Sequence, residues 1–211
     1  MSHDHPDPLA RLGVSRETYA ALKSLEALVL RWNKTINLVS KSSADDIWSR
    51  HILDSAQLFG LSNLMAAHWV DMGSGGGFPG LVIAVIAREL SPSMRVTLIE
   101  SDARKATFLR EARRALGLSS EVILGRIETT PPLGGNVVSA RALTSLSGLL
   151  GLAERHLRPD GVAMFPKGAR RDEEIAEAKA IWDYDSESVP SMSDTNAAIL
   201  LIRNIHRAHP V

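Results

Sequence analysis

The residues best suited to chemistry stand in "VDMGSGGGFPGLVIAV", Val70 to Val85, and at Glu100 further along. Glycine surrenders backbone order, so a run this dense implies that something must approach the main chain closely. Gly73, Gly75 and Gly77 allow a sharp turn there. Pro79 suits a helix N-terminus, because its missing N–H has no partner there in any case. Glu100 closes an apolar run, a place where an acid commonly accepts hydrogen bonds from ribose hydroxyls. Together these residues point to an adenosine-containing cofactor.

Two cofactors compete. Gly75-Gly76-Gly77-Phe78-Pro79-Gly80 fits the dinucleotide fingerprint G-x-G-x-x-G. Its register is poor, because the fingerprint begins at the strand end and from Gly73 the third glycine position holds Phe78. Asp71, just ahead of the first glycine, would sit badly beside a pyrophosphate. It suits a positively charged head, such as the sulfonium and ammonium of S-adenosylmethionine. Methyl transfer is the favoured reading. Nicotinamide binding, and a glycine turn that holds no ligand, stay open.

The elements that must position these residues are legible from periodicity. Tyr19, Leu22, Leu25, Val29, Trp32 and Ile36 recur every three or four residues, which predicts a helix over 16–36 with Ser15 as its N-cap. A second helical segment follows Ser42-Ser43, and no strand signal appears before His68. A helical extension is therefore expected over residues 1–65 and a second domain over 66–211. In the latter, β-branched runs at His68–Asp71, Val96–Glu100, Val122–Leu124, Val137–Ala140 and Val162–Pro166 alternate with helical stretches at 80–90, 102–116, 146–157 and 171–182. That alternation means a parallel sheet with helices on both faces, an α/β fold. Trp182–Val189 and Ala197–Ile205 read as a terminal antiparallel hairpin joined through "PSMSDTN".

Composition narrows the class further. The chain has 211 residues, enough for one sizeable core. It carries 24 basic and 24 acidic residues, so any case for a polyanionic partner must come from local patches. Cysteine is absent, which excludes disulfides, thiolate metal sites and a cysteine nucleophile. Met1–Pro8 is polar and acidic, unlike a secretory signal or a transit peptide. Leu81–Ala87 is far shorter than the roughly 20 apolar residues of a membrane span. A cytoplasmic protein with no membrane and no metal partner is expected, acting as a monomer.

Further along, "GRIETT" follows the third strand and places the Ile127 backbone and the Glu128 side chain to meet an adenine edge. Glu128 also reads as a solvated loop acid. "VVSARAL" sets Arg141 past the fourth strand, over the reactive part of a cofactor, or else in a surface ion pair. Two basic clusters appear, Arg104, Lys105, Arg110, Arg113 and Arg114, and then Arg155, Arg158, Lys167, Arg170 and Arg171. Arg113 and Arg114 read as a solvated helix face. Lys167 in "FPKG" follows a strand at the ligand edge, which favours an RNA or active-site role. Arg50 and His51 are weaker candidates, since a helical histidine is more often structural.

The pieces "RWNKTINLVS", "RHILDSAQL", "VDMGSGGGFPGLVIAV", "LIESDARKATFLR", "GRIE", "SARAL" and "FPKG" cover Arg31 to Gly168. In combination the chain resembles the bacterial 16S ribosomal RNA guanine-N7 methyltransferase family, methyltransferase G. The resemblance implies a Rossmann-like S-adenosylmethionine-dependent methyltransferase fold with a seven-stranded, mostly parallel sheet. It implies guanine 527 of 16S ribosomal RNA, in the small ribosomal subunit or its precursor, as the acceptor. The family's cofactor contacts fall on Gly73, Phe78, Ile127, Glu128 and Arg141, beside the Gly75 and Glu100 read from the residues. RNA contacts are expected at Arg104, Lys105 and Lys167. No residue is assigned as a catalytic base, and Arg141 is expected to orient the reactants.

The acceptor chemistry agrees. Guanine N7 carries a lone pair and no proton, so direct displacement needs positioning more than a base. Cytosine-C5 methylation would need the missing cysteine. Exocyclic-amine enzymes usually carry Asn- or Asp-Pro-Pro-aromatic where this chain has Ser139-Ala140-Arg141-Ala142. A methyltransferase for another RNA or a small molecule, a nicotinamide oxidoreductase and a non-enzymatic RNA-binding protein are the alternatives.

Overall fold

A computed structural model describes residues 7–62 and 67–208. Its first element, α1 (Pro8–Leu12), is capped by the Asp7 carboxylate, which accepts from the Leu9 N–H at 2.8 Å. α2 (Arg16–Asn33) starts at Ser15 as expected, with Ser15 Oγ accepting from the Thr18 N–H at 3.2 Å. It stops at Asn33 rather than Ile36, because Asn33 Oδ1 accepts from the Leu38 and Val39 amides and turns the chain. Leu22, Leu25 and Val29 are buried, whereas Tyr19 is 41% exposed and packs on Trp48.

The segment after Ser42-Ser43 is not one regular helix. A short α3 (Lys41–Ala44) gives way to a π-helical turn, Trp48–Leu53, and then to α4 (Asp54–Leu61). Widened turns of this kind are frequent at functional sites. Here the turn carries Arg50 and His51.

Seven strands form one sheet: β1 (His68–Met72), β2 (Arg95–Glu100), β3 (Glu121–Leu124), β4 (Gly135–Ala140), β5 (Leu157–Lys167), β6 (Trp182–Pro190) and β7 (Ala198–Arg207). Their order is β3-β2-β1-β4-β5-β7-β6, with β1 to β5 parallel and β7 antiparallel to both neighbours. The expected hairpin is present, but its second strand takes the inner place. Ala198–Ile202 is buried throughout, while β6 is largely exposed and serves as the edge. Burial of the more apolar strand decides that order. α5 (Gly80–Leu90), α6 (Ala103–Ala115), α7 (Leu146–His156) and α8 (Arg171–Lys179) cover the two faces.

Gly80 through Ala87 are all buried, so the first two turns of α5 are apolar all round and lie between the helical lead-in and the sheet. Leu22, Val29, Leu81, Val85 and Trp69 belong to one continuous core, and Val70, Val138, Leu150, Phe165 and Trp182 to the core of the other face. The lead-in therefore shares its core with the sheet. The boundary expected between residues 65 and 66 lies outside the described residues, as does Met1–Pro6 of the polar start. Among the described residues, no helix is long and apolar enough to cross a membrane.

Candidate active site at the carboxyl edge of the sheet

Strand order reverses between β1 and β4, and ligands of open α/β sheets bind beyond the strand ends at such a point. The glycine loop leaves β1 there. Gly73 and Gly75, at φ 67° and 51°, line a cavity of about 370 Å³. A β-carbon on Gly73 would lie 2.7 Å from Leu143 Cδ1, so Leu143 lies directly across the backbone at this point. Glu100 closes β2 on the same cavity. Its Oε2 accepts from the Gly75 N–H and its Oε1 from the Asp102 N–H, both at 2.8 Å. A carboxylate offers about four lone-pair sites, so further acceptor capacity remains toward a ligand. Ile127, Glu128 and Arg141 complete the lining, and the volume suits a nucleoside-sized molecule.

Asp71 does not reach this cavity, which corrects the expectation that it faces a positively charged head. It is 1% exposed, with Oδ2 accepting from the Gly80 N–H at 3.1 Å and Oδ1 from the Ser139 hydroxyl at 2.8 Å. Ser139 Oγ in turn accepts from Trp69 Nε1–H at 2.9 Å. The carboxylate thus ties the N-terminus of α5 to β4 beneath the loop, where negative charge also suits the helix dipole. Burial pushes this carboxyl up to about 6, against the hydrogen bonds that favour its ionised form.

Phe78 does not line the cavity either. Its side chain is buried and stacks on His51, with ring centroids 4.8 Å apart and planes inclined by 24°. The Phe78–Pro79 peptide is cis. On the other wall, the Ile127 carbonyl accepts from the buried His156 Nε2–H at 2.9 Å, and Arg155 Nε donates to the Thr130 carbonyl at 3.0 Å. These bonds fix the "GRIETT" loop. Glu128 is exposed and lies 3.5 Å from Arg126.

Arg141 is the most connected of the expected residues. Nη1 donates to His51 Nδ1 at 2.9 Å and lies 3.5 Å from Asp54 Oδ2, while Nη2 donates to the Arg50 carbonyl at 2.8 Å. Arginine only donates, so His51 Nδ1 accepts and the ring is neutral. Burial, then the charges of Arg141 and Arg50, holds His51 down to about 3. Arg141 and Ala142 also border a second, larger polar cavity of about 750 Å³. Asp54, Lys167, Glu174 and the segment joining β6 to β7 wall that space.

Lys167 stands in this wall but is not a free surface cation. It is 9% exposed, with Nζ 2.7 Å from Glu174 Oε2 and 3.4 Å from the Thr144 carbonyl. Burial alone would raise the Glu174 carboxyl, but Lys167 and the Leu146 amide hold it below its usual value. Arg104 and Lys105 stand apart from Lys167, at the N-terminus of α6 beside Thr35–Asn37, in a groove of about 280 Å³. Lys105 borders both this groove and the smaller cavity. The remaining cluster arginines bind carbonyls or carboxylates nearby: Arg110 to Val122, Arg113 to Leu118, Arg114 to Glu111, Arg158 to Asp160, Arg170 to Glu173 and Arg171 to Asp172.

Sequence reasoning missed Asp54, Ser139, Leu143 and Glu174. The helical spacing of His51 and Asp54 in "RHILDS" was a usable signal for Asp54. For Glu174, one acid among several on α8, there was none.

A seven-stranded sheet with a glycine loop after β1, an acid ending β2 and an antiparallel terminal hairpin defines a Rossmann-like S-adenosylmethionine-dependent methyltransferase fold. The chain is similar to the Podospora anserina methyltransferase solved with S-adenosylhomocysteine bound, at 14% identity and a TM-score of 0.61, covering 90% of this chain and 96% of that one. It is similar also to mitomycin 7-O-methyltransferase, at 19% identity and a TM-score of 0.57, covering 96% and 74%. In sequence, the family model for rRNA small subunit methyltransferase G matches residues 18–204. Ribosomal RNA small subunit methyltransferase G of Cereibacter sphaeroides is 49% identical over 195 residues, 92% of this chain and 95% of that protein. The same enzyme of Ruegeria pomeroyi is 48% identical over 196 residues, covering 93% and 96%. The chain belongs to the rRNA small subunit methyltransferase G family.

Proposed function

We propose that this protein transfers a methyl group from S-adenosylmethionine to N7 of a guanine in 16S ribosomal RNA, the base at position 527 by family resemblance. One observation carries the reading: Arg141 and Ala142 form a wall common to the nucleoside-sized cavity and the larger polar cavity, where a cofactor and an acceptor base can meet. Gly73 and Gly75 give the cofactor access to the main chain, and the unused acceptor capacity of Glu100 suits ribose hydroxyls. Ile127 and Glu128 flank the place for adenine. When bound, the cofactor supplies a methyl carbon on a sulfonium.

The protein's own work is orientation. The N7 lone pair forms the N–C bond as the S–C bond breaks, and no proton has to leave first. His51 is not placed as a base, since its Nδ1 is occupied by Arg141. Arg104 and Lys105, in the groove that meets the cofactor cavity at Lys105, are the cations proposed to meet RNA phosphates. The setting proposed is the cytoplasm, with the chain acting as a monomer on the small subunit or its precursor.

The test incubates the protein with labelled S-adenosylmethionine and either unmodified small subunits or free 16S RNA, then digests the RNA to nucleosides. Label in 7-methylguanosine, mapped to one site, is expected. Label on another nucleoside, or none on either substrate, rejects the reading.

A further inference from the structure

Asp54 sits where α4, the end of β4 and the segment joining β6 to β7 meet. It is buried, and its Oδ1 accepts from the hydroxyls of Ser191 at 3.2 Å and Ser193 at 2.9 Å. Its Oδ2 lies 3.5 Å from Arg141 Nη1. Gln57 holds the same segment by its backbone, with Nε2 donating to the Pro190 carbonyl and Oε1 accepting from the Met192 N–H, both at 2.9 Å. The segment is therefore fastened to α4, and Asp54 is its link to Arg141. Arg141 reaches the glycine loop in turn, through His51 and the Phe78 ring stacked on it.

We propose that Asp54 is a positioning residue that holds the Arg141 guanidinium across the boundary between the two cavities and couples residues 191–197 to the cofactor cavity. A largely buried charge pair is screened little, and Asp54, 3.5 Å from Nη1, supplies the anionic partner of this guanidinium. Without it, Arg141 is pinned only by a neutral imidazole and a carbonyl. Nη1 donates to His51 and Nη2 to the Arg50 carbonyl, with the Asp54 carboxylate 3.5 Å from Nη1, so Nε–H and the second Nη2 N–H are left for a ligand. The direction of those two is set by the two bonds and by the Asp54 charge. A ligand that engages Arg141 pulls on Asp54 and tightens Ser191 and Ser193, and a molecule filling the larger cavity presses on the same segment from its other side. Coupling of this kind is reciprocal. The proposal rests on the smaller cavity being the cofactor site and adds a role for Asp54 that the cofactor contacts do not contain.

Amide hydrogen exchange at residues 192–196 tests it, measured with and without saturating S-adenosylhomocysteine. In the wild type the ligand should slow exchange roughly fivefold or more. In Asp54→Asn that slowing should vanish while calorimetry still shows the ligand bound. Single-turnover methyl transfer should fall roughly 10–100-fold, with the KM for RNA little changed, as misplacement of a reacting pair requires. The double variant Ser191→Ala with Ser193→Ala cuts the other end of the link, leaves the buried carboxylate in place and should also lose the slowing. Wild-type slowing in either variant overturns the proposal. A wild-type chain that does not bind S-adenosylhomocysteine instead overturns the cofactor reading beneath it.

Discussion

Replacing Ser139 by alanine removes one hydroxyl from the floor of the glycine loop and takes a partner from two buried groups at once. Asp71 Oδ1 loses a donor at 2.8 Å and Trp69 Nε1–H loses its acceptor at 2.9 Å, in three residues that are at most 1% exposed. A hydrogen bond to a charged group contributes about 1.5–3 kcal/mol, and an unsatisfied buried donor costs about 1–3 kcal/mol. Ser139→Ala should therefore lose roughly 3–5 kcal/mol at pH 8, where Asp71 is ionised. That is a large share of the roughly 5–15 kcal/mol a domain has.

The deficit must depend on pH, and its sign follows from Asp71. Burial raises this carboxyl from 3.8 to about 6 in the fold. Its stabilising contribution is complete below the unfolded value and is lost as pH rises through about 6. Without the Ser139 donor the folded value rises further, so the variant suffers most where the wild type is ionised. At pH 5 the carboxyl is mostly protonated, and the deficit should shrink to about 1–3 kcal/mol, the cost at Trp69 alone. Urea unfolding at both pH values, followed by tryptophan fluorescence, measures the difference. A deficit below about 1 kcal/mol, or one equal at both pH values, would refute the account of an ionised carboxylate clamping α5 to β4.

Three other outcomes are expected. Glu100→Ala should weaken S-adenosylhomocysteine binding by roughly 1–3 kcal/mol in calorimetry, and wild-type affinity would remove Glu100 from the site. Arg104→Ala should lower RNA affinity and flatten its log–log salt dependence by about one, and an unchanged slope would put the RNA surface elsewhere. Single-turnover methyl transfer with saturating RNA should vary little between about pH 6.5 and 8.5, because burial and the Arg141 charge hold His51 far below that window, at about 3, and N7 needs no base. A steep rise with pH that disappears in His51→Ala would instead make His51 a base.

Much of the fold was legible because its signals are local. The β/α alternation, the Ser15 cap and the terminal hairpin follow from periodicity and from hydrogen bonds spanning a few residues. So did the meeting of Gly73, Gly75, Glu100, Ile127, Glu128 and Arg141 at one cavity, since each directly follows or ends a parallel strand. The Asp71 reading failed for a physical reason. A strand's alternation says that Asp71 and its neighbours face opposite sides, but not which side holds the ligand. Asp71 faces the buried junction of α5 and β4. Phe78 lies in the loop beyond the strand, where no alternation applies, and its ring packs on His51.

Sequence by itself thus determined the elements, their order in the chain and the loops at the ligand edge, because backbone propensity and amphipathic period act between near neighbours. Only the tertiary structure decided which charges are spent and which face a ligand. Lys167 and Arg104 look alike in sequence, yet one is buried against Glu174 and the other is mostly exposed beside Asp102. Asp54, Arg141 and Ser193 lie in three distant segments, and they meet because α4 packs where β4 ends and the β6–β7 connection returns. An ion pair depends on distance and burial after packing, and neither quantity is contained in the local pattern of a chain.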